Sequence, residues 1–142
     1  MITLCKSVNG TFLFMNILVA VKQVLDYHVK VRVKPDQSDV DLTNAKLSTN
    51  PFDEIALEEA LRLREAGAVE NVTVVSIGGK GVQDVIQRGL AMGADQGIHV
   101  LTDTRWEPLQ IAKILEHLVQ RDGYQMVFLG KQAIDDDSNQ VA

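Results

Sequence analysis

Three consecutive aspartates, Asp135–Asp137, follow an apolar run that ends at Gly130. Two like charges about 4 Å apart repel by roughly 4 kcal/mol at an effective dielectric near 20, so this cluster needs compensation. A helix N-terminus supplies it, because its free amides bind Asp137 or Ser138 and its dipole favours nearby carboxylates. The cluster therefore predicts a well-capped helix whose body follows Asn139. A metal site is the weaker alternative, since the carboxylates have no evident distant partner in the sequence.

The other polar motifs indicate no catalytic centre. The turn Gly78–Gly81 lies between a predicted strand and a predicted helix, where backbone amides can hold a phosphate. It lacks the Gly-Lys-Ser/Thr of a Walker loop and the third glycine of a dinucleotide fingerprint, which favours an ordinary flexible turn. His28, His99 and His117 have no second ligand at metal spacing. The sequence also lacks a nucleophile elbow and a Cys-His pair, so we predict no metal ligand and no catalytic residue.

Four short apolar runs rich in β-branched residues have the pattern of buried parallel strands. They begin at Asn16, Val72, Gly97 and Gln125. Stretches with helical period separate them, so the sequence predicts an α/β fold with alternating strands and helices. Residues 28–48 instead alternate polar and apolar side chains around a Lys-Pro-Asp-Gln-Ser-Asp turn. This pattern predicts a β-hairpin inserted at the carboxyl end of the sheet.

Each predicted helix has one apolar side and is expected to cover one face of the sheet. The first begins with Asn50 as a cap, Pro51 in the first turn and Asp53 at the positive helix end. The positions predicted to face inward are Ala56, Ala60 and Leu63 in the first helix, Val82, Val85, Ile86 and Leu90 in the second, and Leu109, Ala112, Leu115 and Val119 in the third.

The order of these elements predicts where a ligand binds. In open parallel sheets, ligands bind beyond the carboxyl ends of the strands where the winding direction reverses, and the fourth strand commonly returns beside the first. That arrangement places Gly130 and Lys131 next to Ala20, with the helix start at Asn50 nearby. The segment after the fourth strand then presents backbone amides, rather than its carboxylates, to an anionic ligand.

Composition is that of a single globular domain. The 142 residues are 46% hydrophobic and 23% charged with a net charge of −5, which argues against nucleic acid or an anionic membrane as partner. Cys5 alone permits no internal disulfide, so a reducing compartment, the cytoplasm, is predicted. No run is long enough to insert into a membrane. Residues 1–14 are predicted to be a disordered extension, with the domain beginning at Met15.

Four segments resemble the beta subunits of the electron transfer flavoprotein family. They are NILVAVKQVLDYHVKVRVKPD, NPFDEIALEEALRLREAG, GLAMGADQGIHV and, most specifically, LGKQAIDDDSNQ. The resemblance runs almost continuously from Asn16 to Gln140. It implies an electron carrier rather than an enzyme, a heterodimer with an alpha subunit, FAD shared with that subunit, and a structural AMP. It also implies flavin dehydrogenases as partners through the complex, and an open parallel sheet with helices on both faces, of the adenine nucleotide alpha-hydrolase-like type.

The resemblance also implies site residues. Tyr27 and Phe52 match positions at the edge of the flavin. The predicted AMP residues, many acting through backbone atoms, are Ala20, Asn50, Pro51, Phe52, Asp53, Ile77, Gly130, Lys131, Gln132, Ala133, Ile134, Asp135, Asp136, Asp137, Ser138, Asn139, Gln140 and Val141.

The sequence departs from the family at its end. After Ser-Asn-Gln the family continues with Thr-Gly-Gln and a long helix, whereas Val141 here lacks the hydroxyl of that threonine. We therefore expect residues 15–142 to be a truncated AMP-binding α/β domain with an incomplete sheet, the N-terminal part of a beta subunit. Two alternatives stay open: a stand-alone nucleotide-binding regulatory module of the universal stress type, disfavoured because Ala133 replaces its second glycine, and a non-functional gene fragment.

Overall fold

A four-stranded parallel sheet forms the centre of the protein. The computed structural model describes residues 15–41, 43 and 45–142, so the extension predicted for residues 1–14 lies outside the described residues. The strands are β1 (Asn16–Ala20), β2 (Gln23–Leu25), β3 (Leu47–Thr49), β4 (Asn71–Gly78), β5 (Gln96–Leu101) and β6 (Met126–Leu129). The helices are α1 (Pro51–Glu65), α2 (Gln83–Met92) and α3 (Pro108–Asp122).

The sheet has the order β5-β4-β1-β6, with all neighbours parallel. The chain steps from β1 to β4 to β5 in one direction and then crosses back through α3 to place β6 on the other side of β1. The winding therefore reverses between β1 and β6. The predicted α/β fold, its four parallel strands and the return of the last strand beside the first are confirmed.

Alternating side chains of the strands fill two apolar layers. Ile17 and Val19 point to the face covered by α1 and α2, where they pack with Leu57 and Val85. Leu18 points to the opposite face and packs against α3. Helices on both faces leave the central strands buried on both sides, which explains their continuous apolar sequence.

Two leucines predicted to face inward are exposed. Leu90 of α2 is 39% exposed and Leu109 of α3 is 67% exposed. In α3 the buried residues are Leu115 and Leu118, three positions apart, and Leu109 lies in the first turn beyond the edge of that apolar stripe. The apolar pattern of the sequence located the helix but assigned too wide a buried face to it.

The two leucines of α3 therefore respond differently to truncation. Leu115→Ala removes a side chain that is 6% exposed and packs with Leu18 and Val75, and we expect it to lower the unfolding free energy by about 2–5 kcal/mol. Leu109→Ala should change it by less than about 0.5 kcal/mol. Urea unfolding of both variants measures the difference, and equal losses would contradict the burial of Leu115 and the exposure of Leu109.

The predicted hairpin is present as a short antiparallel excursion. A bridge joins Val33 to Val40, and Lys34 N–H donates to the carbonyl of Asp39 at 2.9 Å. A second antiparallel pairing, β2 with β3, closes the base of the excursion. Val33 is 63% exposed, so the hairpin extends from the sheet rather than packing on it.

Candidate functional site

The start of α1 meets the carboxyl ends of β1 and β6 where the winding reverses. Ala20, the last residue of β1, pairs with Leu129, the last residue of β6. Asp53, in the first turn of α1, accepts hydrogen bonds from the backbone just after each of these strands. Lys22 N–H, after β1, donates to Oδ2 at 2.8 Å, and Gly130 N–H, after β6, donates to Oδ1 at 3.1 Å. One carboxylate thus ties together the two strands that flank the reversal.

Asn50 makes the second connection. Its backbone carbonyl accepts from Asp53 N–H and Glu54 N–H at 3.0 and 3.1 Å, as expected of an N-cap residue. Its side chain, however, makes no capping bond to α1, so that part of the prediction is wrong. The side-chain amide instead donates to the carbonyl of Gln132 at 2.8 Å and accepts from Ile134 N–H at 3.3 Å. Asn50 is only 1% exposed, and the segment after β6 provides its partners.

Gly130 is required by the closeness of this junction. A Cβ atom there would lie 2.2 Å from Asp53 Oδ1, 2.7 Å from the carbonyl carbon of Phe52 and 2.8 Å from Asp53 N. Two of these neighbours are backbone atoms at a helix start, which move less easily than a side chain. Glycine at this position therefore allows the chain leaving β6 to lie against α1.

The environment of Asp53 opposes its charge. The residue is 7% exposed, and burial raises the pKa of its carboxyl to about 6. The amides of Lys22 and Gly130, the side chain of Asn50 and the charge of Lys22 all act in the opposite direction without cancelling the effect of burial. A buried carboxyl with a raised pKa in a binding region is a common feature of functional sites.

The three aspartates have a different source of compensation from the one predicted. Residues 134–136 form a turn, and the described residues after it contain no helix. Asp137 and Asn139 have φ angles of 55° and 48°, outside the right-handed helical region. The ammonium of Lys22 compensates the charges, because it contacts Asp135 at 2.8 Å and Asp136 at 3.2 Å.

Asp136 illustrates the resulting balance. Partial burial favours the neutral acid, but Ser138 N–H and the Lys22 ammonium outweigh it and hold the pKa of Asp136 below its usual value. Lys22 was not among the predicted site residues. A lysine directly after the first strand, on the edge that receives an aspartate cluster, was the available signal.

An apolar patch lies on the α3 side of this edge. Ala20, Ile77 and Val141 all pack against the cluster formed by Leu18, Val75, Leu115 and Leu118. The structure thus brings together predicted AMP residues from three separate parts of the chain. Their contact with AMP stays a prediction.

The two predicted flavin-edge residues, Phe52 and Tyr27, lie on different elements. Phe52 is half-buried at the start of α1, and the Lys131 ammonium lies 5.8 Å from its ring centre. Tyr27 is 68% exposed in the turn after β2, with its ring centre 3.9 Å from that of His28. Asp26 anchors this turn: its carboxylate accepts from the Lys46 ammonium at 2.8 Å and from His28 N–H at 2.9 Å.

The structure also contains a glycine-rich turn and a concave region outside the junction of β1, α1 and β6. Gly78–Gly81 leads into a short 3-10 turn, Lys80–Val82, as the prediction of an ordinary turn implied. A cleft of about 480 Å³ lies between β5 and α3 and shares no lining residue with the predicted AMP residues. Among its lining residues are Ile98, Val100, Ile114 and Leu118.

Comparison with known proteins identifies the family. The model of the electron transfer flavoprotein domain matches residues 40–142. The chain is 59% identical over 127 residues to the mitochondrial electron transfer flavoprotein subunit beta of Arabidopsis thaliana, covering 89% of this chain and 51% of that protein. The corresponding subunit of Bradyrhizobium diazoefficiens is 57% identical over 127 residues, with 89% and 51% covered. The human subunit is 51% identical over 131 residues, again with 89% and 51% covered.

These relatives bear the same name, and the chain spans about half the length of each. The resemblance predicted from the sequence is confirmed, and the chain belongs to the electron transfer flavoprotein family, on the side of its beta subunits.

Proposed function

We propose that this chain acts as the beta subunit of an electron transfer flavoprotein: an electron carrier, not an enzyme, that holds a structural AMP and contributes to an FAD site shared with an alpha subunit. The identity of 51–59% to beta subunits over most of this chain carries the proposal. The junction of β1, α1 and β6 supports it, because predicted AMP residues distant in sequence lie at one edge of the sheet.

The residues at that edge suit AMP chemically. Ala20, Ile77 and Val141 offer an apolar surface for a base. Lys22 neutralises the nearest two carboxylates, so the phosphate does not face an uncompensated acidic cluster. The backbone amides after β6 are the donors we expect for the phosphate, since a backbone donor carries no competing negative charge.

FAD would supply the redox chemistry of the complex when bound. The role we assign to this chain is positional: Phe52 and Tyr27 approach the flavin from the edge of the sheet, and an alpha subunit supplies the rest of the site. Flavin dehydrogenases would then exchange electrons with the complex rather than with this chain alone.

Other aspects of the proposal concern location and alternatives. No helix in the described part of the chain has the length and apolar character needed to cross a bilayer. We propose a cytoplasmic location, without nucleic acid or membrane insertion. The comparisons give no support to a stand-alone regulatory module of the universal stress type.

Co-expression with an alpha subunit tests the proposal. We expect a tagged form of this chain to retain the alpha subunit, a flavin absorbance spectrum, and AMP that is released on denaturation. Tyr27→Ala should lower the flavin content several-fold, whereas Val33→Ala, a change at a similarly exposed residue of the neighbouring hairpin, should not. A complex that contains no flavin would contradict the proposed FAD role. A complex that contains flavin but no AMP would contradict only the proposed AMP role.

A further inference from the structure

The first turn of α1 uses its polar side chains in an unusual way. At many helices the N-cap side chain and the side chain three residues later bond to each other's backbone. In α3 the Gln110 side chain does this, accepting from Glu107 N–H at 3.0 Å. In α1 the equivalent residues, Asn50 and Asp53, both turn away from their own helix and bind other segments. This helix end therefore holds neighbouring chain rather than capping itself.

Both oxygens of Asp53 already have backbone donors. Oδ2 accepts from Lys22 N–H and Oδ1 from Gly130 N–H, and the residue is almost fully buried. A negative carboxylate would also repel a phosphate. Its side chain is therefore suited to shaping the segment after β6 and unsuited to contacting an anionic nucleotide directly.

We propose that Asn50 and Asp53 form a clasp of positioning residues, which fixes residues 130–134 in the conformation that receives the nucleotide and touches it with neither side chain. This inference rests on the AMP role proposed above. The clasp requires glycine at position 130, because any side chain there would collide with Asp53 and the start of α1.

The charges around Asp53 define how the clasp responds to pH. Lys22 and Lys131 provide the nearby positive charges, and Asp135, Asp136 and Glu54 the negative ones, with Glu54 paired to Arg88. Burial raises the pKa of Asp53 to about 6, so acidification through this pH protonates it in the folded protein. A neutral carboxyl accepts hydrogen bonds more weakly than a carboxylate, so the bonds from Lys22 N–H and Gly130 N–H weaken and the clasp loosens below that pH.

The contribution of Asp53 to the free energy of unfolding changes with pH in the opposite direction to the strength of its hydrogen bonds. Because the pKa of Asp53 is higher in the folded state than its ordinary value of 3.8, its stabilising contribution is fully present below about pH 4 and is lost as pH rises through about 6. Acidification thus favours folding through Asp53 while it weakens the hold on Gly130.

Nuclear magnetic resonance on the full 142-residue chain tests the clasp directly. We expect the amide signals of Gly130 and Lys22 to shift together with a midpoint near 6, and the protection factor of the Gly130 amide, its exchange rate corrected for the intrinsic pH dependence, to decrease below that pH. In Asp53→Asn both signals should lose this transition. Asp84→Asn is the matched control, because it removes an exposed carboxylate from the first turn of α2 and should leave the transition unchanged.

Calorimetric titration with AMP supplies the functional measurement. Near neutral pH, Asp53→Asn should bind AMP at least about tenfold more weakly than the wild type, because the amides lose their preorganisation. Its melting temperature should stay within about 3 °C of the wild type, since the variant also removes a buried charge. The phosphate of AMP itself titrates near pH 6, so the variant also gives the background pH dependence of the ligand.

The outcomes separate the two proposals. If the wild type binds no AMP, the nucleotide role fails, and the Gly130 transition still decides whether the clasp exists. A flat Gly130 signal across the whole range from about pH 4 to 8, or unchanged AMP affinity in Asp53→Asn, overturns the clasp. If Asp53→Asn does not fold, the presence or absence of the Gly130 transition in the wild type decides the question alone.

Discussion

Replacing Gly130 by alanine should destabilise the protein by about 3 kcal/mol, at the upper end of the usual cost of overpacking. The added methyl group would lie 2.2 Å from Asp53 Oδ1 and within 2.8 Å of two backbone atoms of Phe52 and Asp53. Relief requires moving either the start of α1 or the chain leaving β6. At roughly 2–4 °C per kcal/mol for a chain of this size, the melting temperature should fall by about 6–12 °C.

Gly79→Ala is the control for this change. Gly79 also follows a strand of the parallel sheet, but the nearest atom to its added Cβ is Asp103 Oδ1 at an ordinary 3.4 Å. We expect a change below about 0.5 kcal/mol. Similar melting temperatures for the two variants, measured by circular dichroism, would show that the chain leaving β6 does not pack tightly against α1.

The second large effect is expected from Asn50→Asp, which changes one side-chain nitrogen to oxygen. At an ordinary helix N-cap, Asn and Asp are about equally favourable, so capping alone predicts almost no effect. Here the new carboxylate would face the carbonyl of Gln132 in a position that is 1% exposed. The lost hydrogen bond and the unpaired buried charge should together cost about 3 kcal/mol near neutral pH.

This loss should depend on pH in a defined direction. Burial will raise the pKa of the introduced carboxyl above its unfolded value, so the folded protein takes up a proton as the pH falls and part of the stability returns. Urea unfolding near pH 7 and about pH 5 measures the recovery, with Asn139→Asp as an exposed control. A variant as stable as the wild type at both values would show that Asn50 does not hold the segment after β6.

Local patterns in the sequence were sufficient to predict the sheet. Strands β1 and β4 are largely apolar because helices cover both of their sides. The winding rule then predicted the last strand beside the first, where Leu129 pairs with Ala20. The side chain of Asn50 was assigned incorrectly because a capping asparagine and one that binds a distant segment have the same local sequence. Its partners lie 82 and 84 residues away.

The aspartate cluster shows the same limit. Its need for compensation was apparent from Asp135–Asp137 alone, and a helix dipole was the available local source. The charge came instead from Lys22, which is 113 residues from Asp135 in sequence. Lys22 was missed because an exposed lysine after a strand contributes to no periodic pattern. Ion pairs between segments this distant in sequence follow from the topology. They can be proposed only after the strand order is known.

The carboxylate of Asp53 also has a consequence for the order of folding events. Its two hydrogen bonds span 31 and 77 residues, so the second cannot form until β6 has docked beside β1. Closing such a long loop is entropically costly and slow compared with forming α1 or its contacts with β1. In an intermediate lacking β6, Asp53 could still accept from Lys22 N–H, but its other carboxylate oxygen and the side chain of Asn50 would lack their partners. Gly130 and its neighbours should be among the last residues to acquire native protection during refolding.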